Sequence, residues 1–318
     1  MIRVFYQQKE GGLHWVKDPE QLVPDNCEKI VWVDMQSSSE EQRRFVEKTF
    51  GIELFTPQEA AEIESSSRYF EDEHGIEANN SFIVYENKSY STEQVSFLLK
   101  KDILFTLRQA DIKAFAETVR KLKVSKQAGE FSGYQIFLLL LETQIDKDAD
   151  FIEYISKLTN GLSKRLLKDK YYKEDLLLEI TEMQENTILA RESVVDKQRL
   201  VSSLIKSAAV PAAESERLRI IFKDINSILQ HTQFSFERLE YLQDTFLGLI
   251  NIEQNTVIKI FTVVTVVFMP PTLIASIYGM NFTFMPELSW PFGYPLAILL
   301  MIISSLFFLW FFKRKKWL

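Results

Sequence analysis

Ile260–Met280 reads IFTVVTVVFMPPTLIASIYGM and contains no charged residue. A second uncharged stretch follows at Leu288–Phe312. Each exceeds the roughly 20 apolar residues that an α-helix needs to cross a hydrocarbon core about 30 Å thick. The sequence therefore predicts two transmembrane helices near the C-terminal end, at 260–280 and 292–312, joined by a loop at 281–291.

The flanking charges predict the orientation of these spans. The run KRKK at 313–316 follows the second span, whereas the loop at 281–291 contains one acidic residue, Glu287, and no Lys or Arg. The positive-inside rule places the basic tail, 313–318, in the cytosol, and two spans then place the N-terminus there as well. We expect a multi-pass protein of the cytoplasmic (inner) membrane with both termini cytosolic. The same charges would also suit a simple stop-transfer anchor.

The remainder of the chain, 1–259, is acidic. Its net charge is −10, because the whole chain carries −7 and residues 260–318 carry +3. An acidic head argues against nucleic acid as a partner. The single Cys27 excludes a disulfide framework within the chain, and the three histidines are too scattered to form a helical ligand pair. We therefore expect neither metal-dependent hydrolysis nor redox chemistry, and we predict that the protein is not an enzyme. The N-terminus shows no apolar run typical of a signal peptide.

Residues 1–125 mix β-branched and aromatic runs with helical patterns, which predicts a cytosolic α/β domain. The expected strands are Arg3–Gln7, Ile30–Asp34, Ser81–Tyr85, Val95–Leu99 and Leu104–Arg108. The expected helices are Glu40–Phe50, Pro57–Glu64 and Asp111–Val124. Hairpin turns are expected at Glu10-Gly11-Gly12 and at Glu86–Ser89.

From Gly133 onward the pattern is helical, with Gly161, the Lys170 region and Pro211 as candidate breaks. We predict a cytosolic helical hairpin at 126–210, made of two helices of roughly 35 to 40 residues, and then a stalk helix at 211–259. A single helix from Pro211 to Tyr278 would extend about 100 Å at 1.5 Å per residue, so it should run directly into the membrane. The overall class is an α+β membrane protein with a long helical stalk and two C-terminal transmembrane helices.

The stretch 168–199 is rich in Glu and Asp without a regular register. Charge runs usually face water, which favours a solvated helix face. A face that senses divalent cations is the alternative.

One face of the first span and its approach is small or polar. On a seven-residue repeat this face contains Asn255, Ile258, Thr262, Thr265, Met269, Thr272 and Ser276. Periodicity alone favours helix packing over a pore wall at such positions. Pro270-Pro271 also removes two backbone donors and frees carbonyls near Val266 and Val267, which is tolerated where other helices or water supply donors. Since one subunit with two spans cannot enclose a polar path, a channel would require several copies around an axis.

The first span ends in Tyr278-Gly279-Met280-Asn281-Phe282, and the loop continues as Met285-Pro286-Glu287-Leu288. Here the chain resembles the CorA family of magnesium channels, whose signature is a Gly-Met-Asn triplet at the end of the first of two C-terminal spans. The run at 251–255 and the basic tail are similar to the family as well. The organisation matches over essentially the whole chain, although the specific motifs begin only after about Asn251.

The chemistry of the triplet agrees with this resemblance. Mg²⁺ dehydrates reluctantly, so a selective entrance should bind the hydrated ion through its waters. The side-chain oxygen of Asn281 and the carbonyl of Gly279, beside Met280, would supply neutral acceptors around a symmetry axis. Glycine would also let the backbone turn after the helix. The alternative for Gly279–Asn281 is an ordinary helix C-cap.

Two carboxylates receive roles from the resemblance. In the pentamer that it implies, five copies of Glu287 would form an anionic rim that raises the local cation concentration. Asp244 falls at the stalk level where the family places a regulatory carboxylate. Their alternatives are an exposed loop carboxylate and a solvated stalk carboxylate.

The sequence and the resemblance together predict a passive channel for Mg²⁺ influx. The resemblance implies that the channel is a homopentamer, that cytosolic Mg²⁺ gates it, and that Co²⁺ and Ni²⁺ are secondary ions. Its partners would be copies of itself, the lipid bilayer and hydrated divalent cations, and it would need no cofactor or nucleotide. Gly279, Met280, Asn281 and Glu287 would form the entrance, the polar face would line the path, and Met269 and Ile258 would form apolar constrictions. The alternatives are a zinc transporter of the same superfamily and a membrane-tethered coiled-coil interaction protein.

Overall fold

The structure, a computed structural model, forms two compact units. It describes residues 1–8, 13–18, 27–56, 68–72, 75–86, 89–124, 131–168, 174–315 and 317. The first unit comprises Met1–Asp169 and Lys173–Leu242, and the second contains Gln243–Leu318. The first unit therefore holds both the α/β region and the two helices that follow it. The expected helix at Pro57–Glu64 and the turn at Glu10-Gly11-Gly12 lie outside the described residues.

A seven-stranded sheet forms the centre of the first unit. Its strands are β1 (Ile2–Gln8), β2 (Leu13–Lys17), β3 (Cys27–Gln36), β4 (Tyr69–Asp72), β5 (Gly75–Glu86), β6 (Ser89–Lys100) and β7 (Ile103–Arg108). Their order is β2-β1-β3-β7-β6-β5-β4, with β3 and β7 parallel and the other neighbours antiparallel. The β5–β6 register pairs Glu86 with Ser89, which confirms the predicted hairpin there.

Each of the five predicted strands lies within an observed strand. The prediction missed β2 and β4, the two edge strands. Both are short, and each of their residues is only partly buried or exposed. They therefore lack the buried apolar positions that make a strand recognisable from sequence.

Among the described residues of the first unit, four α-helices precede the long helix. They are α1 (Glu40–Phe50), α2 (Lys113–Val124), α3 (Gly133–Lys168) and α4 (Glu174–Lys206). The bounds of α1 match the prediction because Ser39 and Gln42 form a capping box and Gly51, at φ 63°, ends the helix. The expected break at Gly161 is wrong, since α3 continues through it. Glycine inside a helix lowers stability without ending the helix when packing holds both sides.

Helices cover both faces of the sheet. Val46 of α1 packs on one face against a cluster that includes Val33 and Phe105. On the other face, Phe115 of α2 lies near Trp32, with ring centroids 5.9 Å apart. Since successive side chains of a strand point to opposite faces, this sheet buries apolar residues on both sides.

A buried ion pair joins α3 and α4. Lys197 Nζ lies 3.0 Å from Asp148 Oδ2, and both side chains are fully buried. Lys197 also donates to the carbonyl of Ser81 on β5 at 2.7 Å. Burial raises the pKa of the Asp148 carboxyl and lowers the pKa of the Lys197 ammonium. The stretch 168–199 is therefore not solvated throughout, because Lys197 lies in the interior.

The second unit contains the apolar part of the chain. The long helix α5 (Ser215–Tyr278) ends in this unit, and a short 3₁₀ helix at Pro286–Ser289 precedes α6 (Gly293–Arg314). Residues 215–259 of the expected stalk and 260–278 of the expected first span are thus parts of one helix, which ends before Gly279. The observed elements are an α/β head, a long helix and two C-terminal apolar helices.

Candidate cation path

The C-terminal part of α5 and the whole of α6 are each long and apolar enough to cross a membrane. Their large side chains are mostly exposed; Phe261 and Phe268, for example, are 69% and 63% exposed. Soluble monomers rarely expose contiguous apolar surface of this extent. These exposed side chains therefore indicate contact with lipid or with other copies of the chain.

The two spans pack along one side of α5. Val263 and Val267 of α5 are buried against Phe312 of α6, with Val266 and Phe308 partly buried beside them. This contact shows that the side of α5 carrying Val263 and Val267 faces α6.

The predicted path residues lie on a different side of α5. All seven are exposed in the chain: Asn255, Ile258, Thr262, Thr265, Met269, Thr272 and Ser276. Because an α-helix has 3.6 residues per turn, their mean direction differs by about 150° from that of Val263 and Val267. The second span therefore leaves the polar face uncovered. Helix packing within one chain does not account for the small and polar residues of this face.

The threonine hydroxyls on this face share one geometry. Thr262 donates to the carbonyl of Ile258 at 2.8 Å, Thr265 to that of Phe261 at 2.8 Å, and Thr272 to that of Phe268 at 2.8 Å. A hydroxyl has one proton to donate and two lone pairs to accept with. Since the backbone takes the proton, each oxygen presents only acceptor sites outward. The face can therefore accept hydrogen bonds from water around a cation.

Pro270 and Pro271 lie inside α5 without ending it. Pro271 lacks the N–H that would bond to the carbonyl of Val267. That carbonyl instead lies 3.4 Å from the hydroxyl of Ser305 on α6, which donates to it. The expectation that another helix supplies a donor near Val267 is confirmed at this position.

The Gly-Met-Asn triplet follows directly after α5. The backbone N–H of Gly279 donates to the carbonyls of Ala275 at 3.0 Å and Ser276 at 3.2 Å, and that of Met280 to Ile277 at 3.2 Å. The last turn is thus tightened by 3₁₀-type bonds. Gly279, Met280 and Asn281 are all exposed.

The expectation that Gly279 lets the backbone turn after the helix, as a left-handed C-cap glycine does, is wrong. Gly279 does not have a positive φ; among the described glycines only Gly51 does. The chain therefore leaves the helix without the left-handed turn that favours glycine at a C-cap. A Cβ at Gly279 would lie 3.2 Å from the carbonyl oxygen of Ala275, a tight contact within its own helix. What the glycine provides at this position is a small, open surface beside Asn281.

Glu287 lies in the 3₁₀ helix of the loop, and its side chain is exposed. Its carbonyl oxygen is close to Gly293, where an added Cβ would be only 2.2 Å away. The first residue of α6 must therefore be glycine for the loop to fold back in this way. The sequence pattern gave no signal for this requirement, because the contact depends on the path of the loop.

Asp244 lies on α5 in the second unit and is exposed. Within the described ranges, no group of three or more His, Cys, Asp or Glu side chains is placed to hold a metal ion. A regulatory site at Asp244 would need ligands from elsewhere, so this role stays a prediction.

An α/β head, a long helix that continues into a membrane span, and a loop with neutral acceptors define the class of protein: a membrane-embedded transporter rather than an enzyme. Residues 28–314 match the family model described as CorA-like Mg²⁺ transporter protein. The chain belongs to this CorA family.

Two curated relatives share this organisation at the level of sequence. The chain is 39% identical over 300 residues to the magnesium transport protein CorA of Wolinella succinogenes, covering 93% of each chain. It is 38% identical over 293 residues to the magnesium transport protein CorA of Escherichia coli K12, covering 91% of this chain and 92% of the relative.

The fold also matches a solved structure along its full length. The complete structure of the CorA magnesium transporter from Methanocaldococcus jannaschii superposes with a TM-score of 0.86 at 21% identity. The match covers 100% of this chain and 99% of that one. At this identity, the comparison establishes the fold and confirms the expected architecture.

Proposed function

We propose that five copies of this chain form a passive channel for Mg²⁺ influx in the cytoplasmic membrane, with both termini in the cytosol. The named relatives are magnesium transport proteins, which supports the choice of ion. One chain with two spans cannot surround a path, so the path must lie on an axis shared by several copies. The uncovered polar face of α5 would face that axis.

The observation that carries this proposal is the position of three threonine hydroxyls on the face of α5 that its second span leaves uncovered. Thr262, Thr265 and Thr272 donate their protons to their own helix and leave acceptor lone pairs outward. A hydrated Mg²⁺ ion presents water protons, so such acceptors suit it without removing its water shell. A threonine hydroxyl that did not donate to its own helix could present its proton to the path. That proton would repel the protons of the hydration waters.

The entrance would be formed by Gly279, Met280 and Asn281. The amide oxygen of Asn281 and the carbonyl of Gly279 are neutral acceptors, which bind a hydrated cation less tightly than carboxylates do. Five copies of Glu287 in the adjoining loop would attract cations by their summed field. Selection among ions would thus depend on Asn281 and Gly279, whereas attraction of cations would depend on Glu287.

The membrane potential would drive the flux. An inside-negative potential contributes about 2.3 kcal/mol per charge per 100 mV, and twice that for a divalent ion. No nucleotide or other cofactor is required for downhill entry. Co²⁺ and Ni²⁺ would enter as secondary ions, as the family resemblance implies.

Gating would respond to Mg²⁺ in the cytosol. Acidic heads brought together around an axis repel one another, and bound Mg²⁺ would relieve that repulsion and favour a closed ring. Asp244 would contribute to this site. Met269 and Ile258, the apolar members of the polar face, would form the constrictions that close.

The decisive experiment is ion flux into liposomes that contain only this protein. We expect saturable Mg²⁺ entry under an inside-negative potential, and a pentamer by native mass spectrometry. Protein-containing liposomes that take up no more Mg²⁺ than protein-free ones would favour the coiled-coil alternative. Zn²⁺ entry that exceeds Mg²⁺ entry would favour the zinc transporter.

A matched pair of variants tests the role of the polar face. Thr265→Val removes an acceptor from the proposed path and should reduce Mg²⁺ flux. Thr256 makes the same bond within its helix, to Ile252 at 2.9 Å, but points to the side of α5 that carries Val263 and Val267. Thr256→Val should therefore leave the flux unchanged. Equal effects of both substitutions would contradict this use of the face.

A further inference from the structure

A cavity of about 510 Å³ lies in the first compact unit. Its walls come from β4 and β5 with the preceding Arg68, from α4, and from Phe222 on α5. Small-molecule sites typically have volumes of about 300–1,000 Å³. The cavity is thus large enough for an organic molecule rather than for one ion alone.

The charged groups of the cavity leave one cation unbalanced. Arg68 forms an ion pair with Asp196, and the hydroxyl of Ser81 donates to the same carboxylate at 2.6 Å. Arg199 NH1 lies 3.8 Å from Asp196 Oδ1, beyond hydrogen-bond distance, and its side chain is 59% exposed. Two guanidinium groups thus face one carboxylate. The unbalanced positive charge favours an anionic ligand, and a guanidinium is suited to bind phosphate.

Asn79 of β5 provides the second, independent observation. Its side chain lines the cavity and is 3% exposed. Neither its amide nitrogen nor its amide oxygen has a hydrogen-bond partner among the described residues. Buried polar groups are nearly always paired, since an unpaired one loses its bonds to water without replacement. The amide could pair with a ligand that offers an acceptor and a donor side by side.

Two aromatic side chains, Tyr69 and Phe222, also line the cavity. The Tyr69 hydroxyl donates to Glu71 Oε2 at 2.8 Å. Burial, assisted by this hydrogen bond, raises the pKa of Tyr69 to about 12. The phenol therefore stays neutral at physiological pH and adds no negative charge to the cavity. Rings of this kind pack well against a planar ligand.

We infer that this cavity binds a nucleoside monophosphate, with the edge of its base at Asn79 and its phosphate at Arg199. An asparagine amide can make paired hydrogen bonds to the edge of adenine. Inorganic phosphate would satisfy Arg199 but not Asn79, and a free nucleoside would do the reverse. This site lies in the head, and its existence does not depend on the proposed ion path.

The test measures binding to the full-length protein in detergent, by equilibrium dialysis without divalent cations. The probes are adenosine monophosphate, adenosine and inorganic phosphate. We expect saturable binding of the monophosphate, and weaker binding of the other two by about tenfold or more. Equal affinity for phosphate would reduce the site to an anion site and overturn the inference, as would no saturable binding at all.

Substitutions then locate the site. Arg199→Ala, at an exposed position, and Asn79→Ala should each weaken binding of the monophosphate by about tenfold. Arg44→Ala is the control, because Arg44 is an exposed arginine of α1, which does not line the cavity, and it lies 3.1 Å from Glu40 in an i,i+4 arrangement. It should leave binding unchanged. If Asn79→Ala fails to fold, Arg199→Ala decides alone, and unchanged binding in Arg199→Ala rejects the site.

Discussion

Ser305 of α6 donates a hydrogen bond, 3.4 Å long, to the carbonyl oxygen of Val267, the carbonyl that Pro271 deprives of its helical donor. A hydroxyl of α6 thus replaces the hydrogen bond that Pro271 removes from the backbone of α5. This bond compensates for the donor that Pro271 lacks, one of the two backbone donors that the consecutive prolines remove from α5.

The first prediction concerns this bond. Ser305→Ala should lower the stability of the protein by about 1 kcal/mol, the usual size of hydrogen bonds between membrane helices. The measurement is the midpoint of thermal unfolding in detergent. Ser304→Ala is the control, because the Ser304 hydroxyl bonds to Met301 within α6 at 2.8 Å. Equal shifts for the two variants would show that the contact with Val267 contributes nothing.

The second prediction concerns selectivity. Asn281→Ala removes the proposed ring of amide acceptors while leaving α5 intact, so Mg²⁺ flux should fall severely at matched protein density. Thr283→Ala, an exposed polar position in the same loop, should retain most of the flux. Flux is measured in liposomes with a fluorescent Mg²⁺ indicator. Wild-type flux in Asn281→Ala would remove this residue from the entrance.

The third prediction concerns the charge of the loop. Glu287→Gln should reduce flux chiefly at low Mg²⁺ and low ionic strength, because salt screens the field of exposed carboxylates. Glu253→Gln, on α5 before the span, should show no such loss. Flux is compared over a series of salt concentrations. A loss that is the same at every salt concentration would indicate a structural role for Glu287.

The fourth prediction concerns gating. Asp244→Asn should require more cytosolic Mg²⁺ to close the channel, because one ligand of the closed state is weakened. Glu240→Gln, at an exposed position one turn earlier on α5, is the control and should close as the wild type does. Current is recorded as a function of cytosolic Mg²⁺. An unchanged closing concentration in Asp244→Asn excludes this residue, and a wild type insensitive to Mg²⁺ excludes the mechanism.

The fifth prediction concerns the buried ion pair of the head. Lys197→Met leaves Asp148 buried without its counter-ion and should destabilise the protein by about 3–5 kcal/mol near neutral pH. Replacing Asp148 by Leu as well should recover most of this loss. A smaller loss of stability in Lys197→Met than in the double variant would contradict this prediction. Thermal unfolding of the detergent-solubilised protein provides the comparison.

The same variant has a predictable pH dependence. Burial raises the pKa of Asp148 above its unfolded value. The folded state then binds more protons than the unfolded state between the two pKa values, so stability falls as pH rises through that window. Lys197→Met should therefore be less destabilised at about pH 5 than at about pH 8. A destabilisation that is independent of pH would mean that Asp148 binds the same number of protons in the folded and unfolded states, and it would contradict this prediction.

Much of the fold was accessible from sequence because its signals are local. The capping box of Ser39 and Gln42 and the five apolar strands depend on residues near one another in the chain. The edge strands β2 and β4 were missed because partly exposed strands carry little pattern. The positions of Ser305 and Gly293 could not be inferred, since each matters through a contact whose partner is set by the path of the chain.

By itself, the sequence determined the two spans, the long helix, the position of the Gly-Met-Asn triplet and the family resemblance, because charge, hydropathy and periodicity act over short distances. Tertiary structure alone decided which side of α5 its second span covers, how the Val267 carbonyl is satisfied, that Gly279 needs no left-handed turn, and that Lys197 is buried. These features depend on the packing of distant segments. Packing selects one among many arrangements that the same local pattern allows.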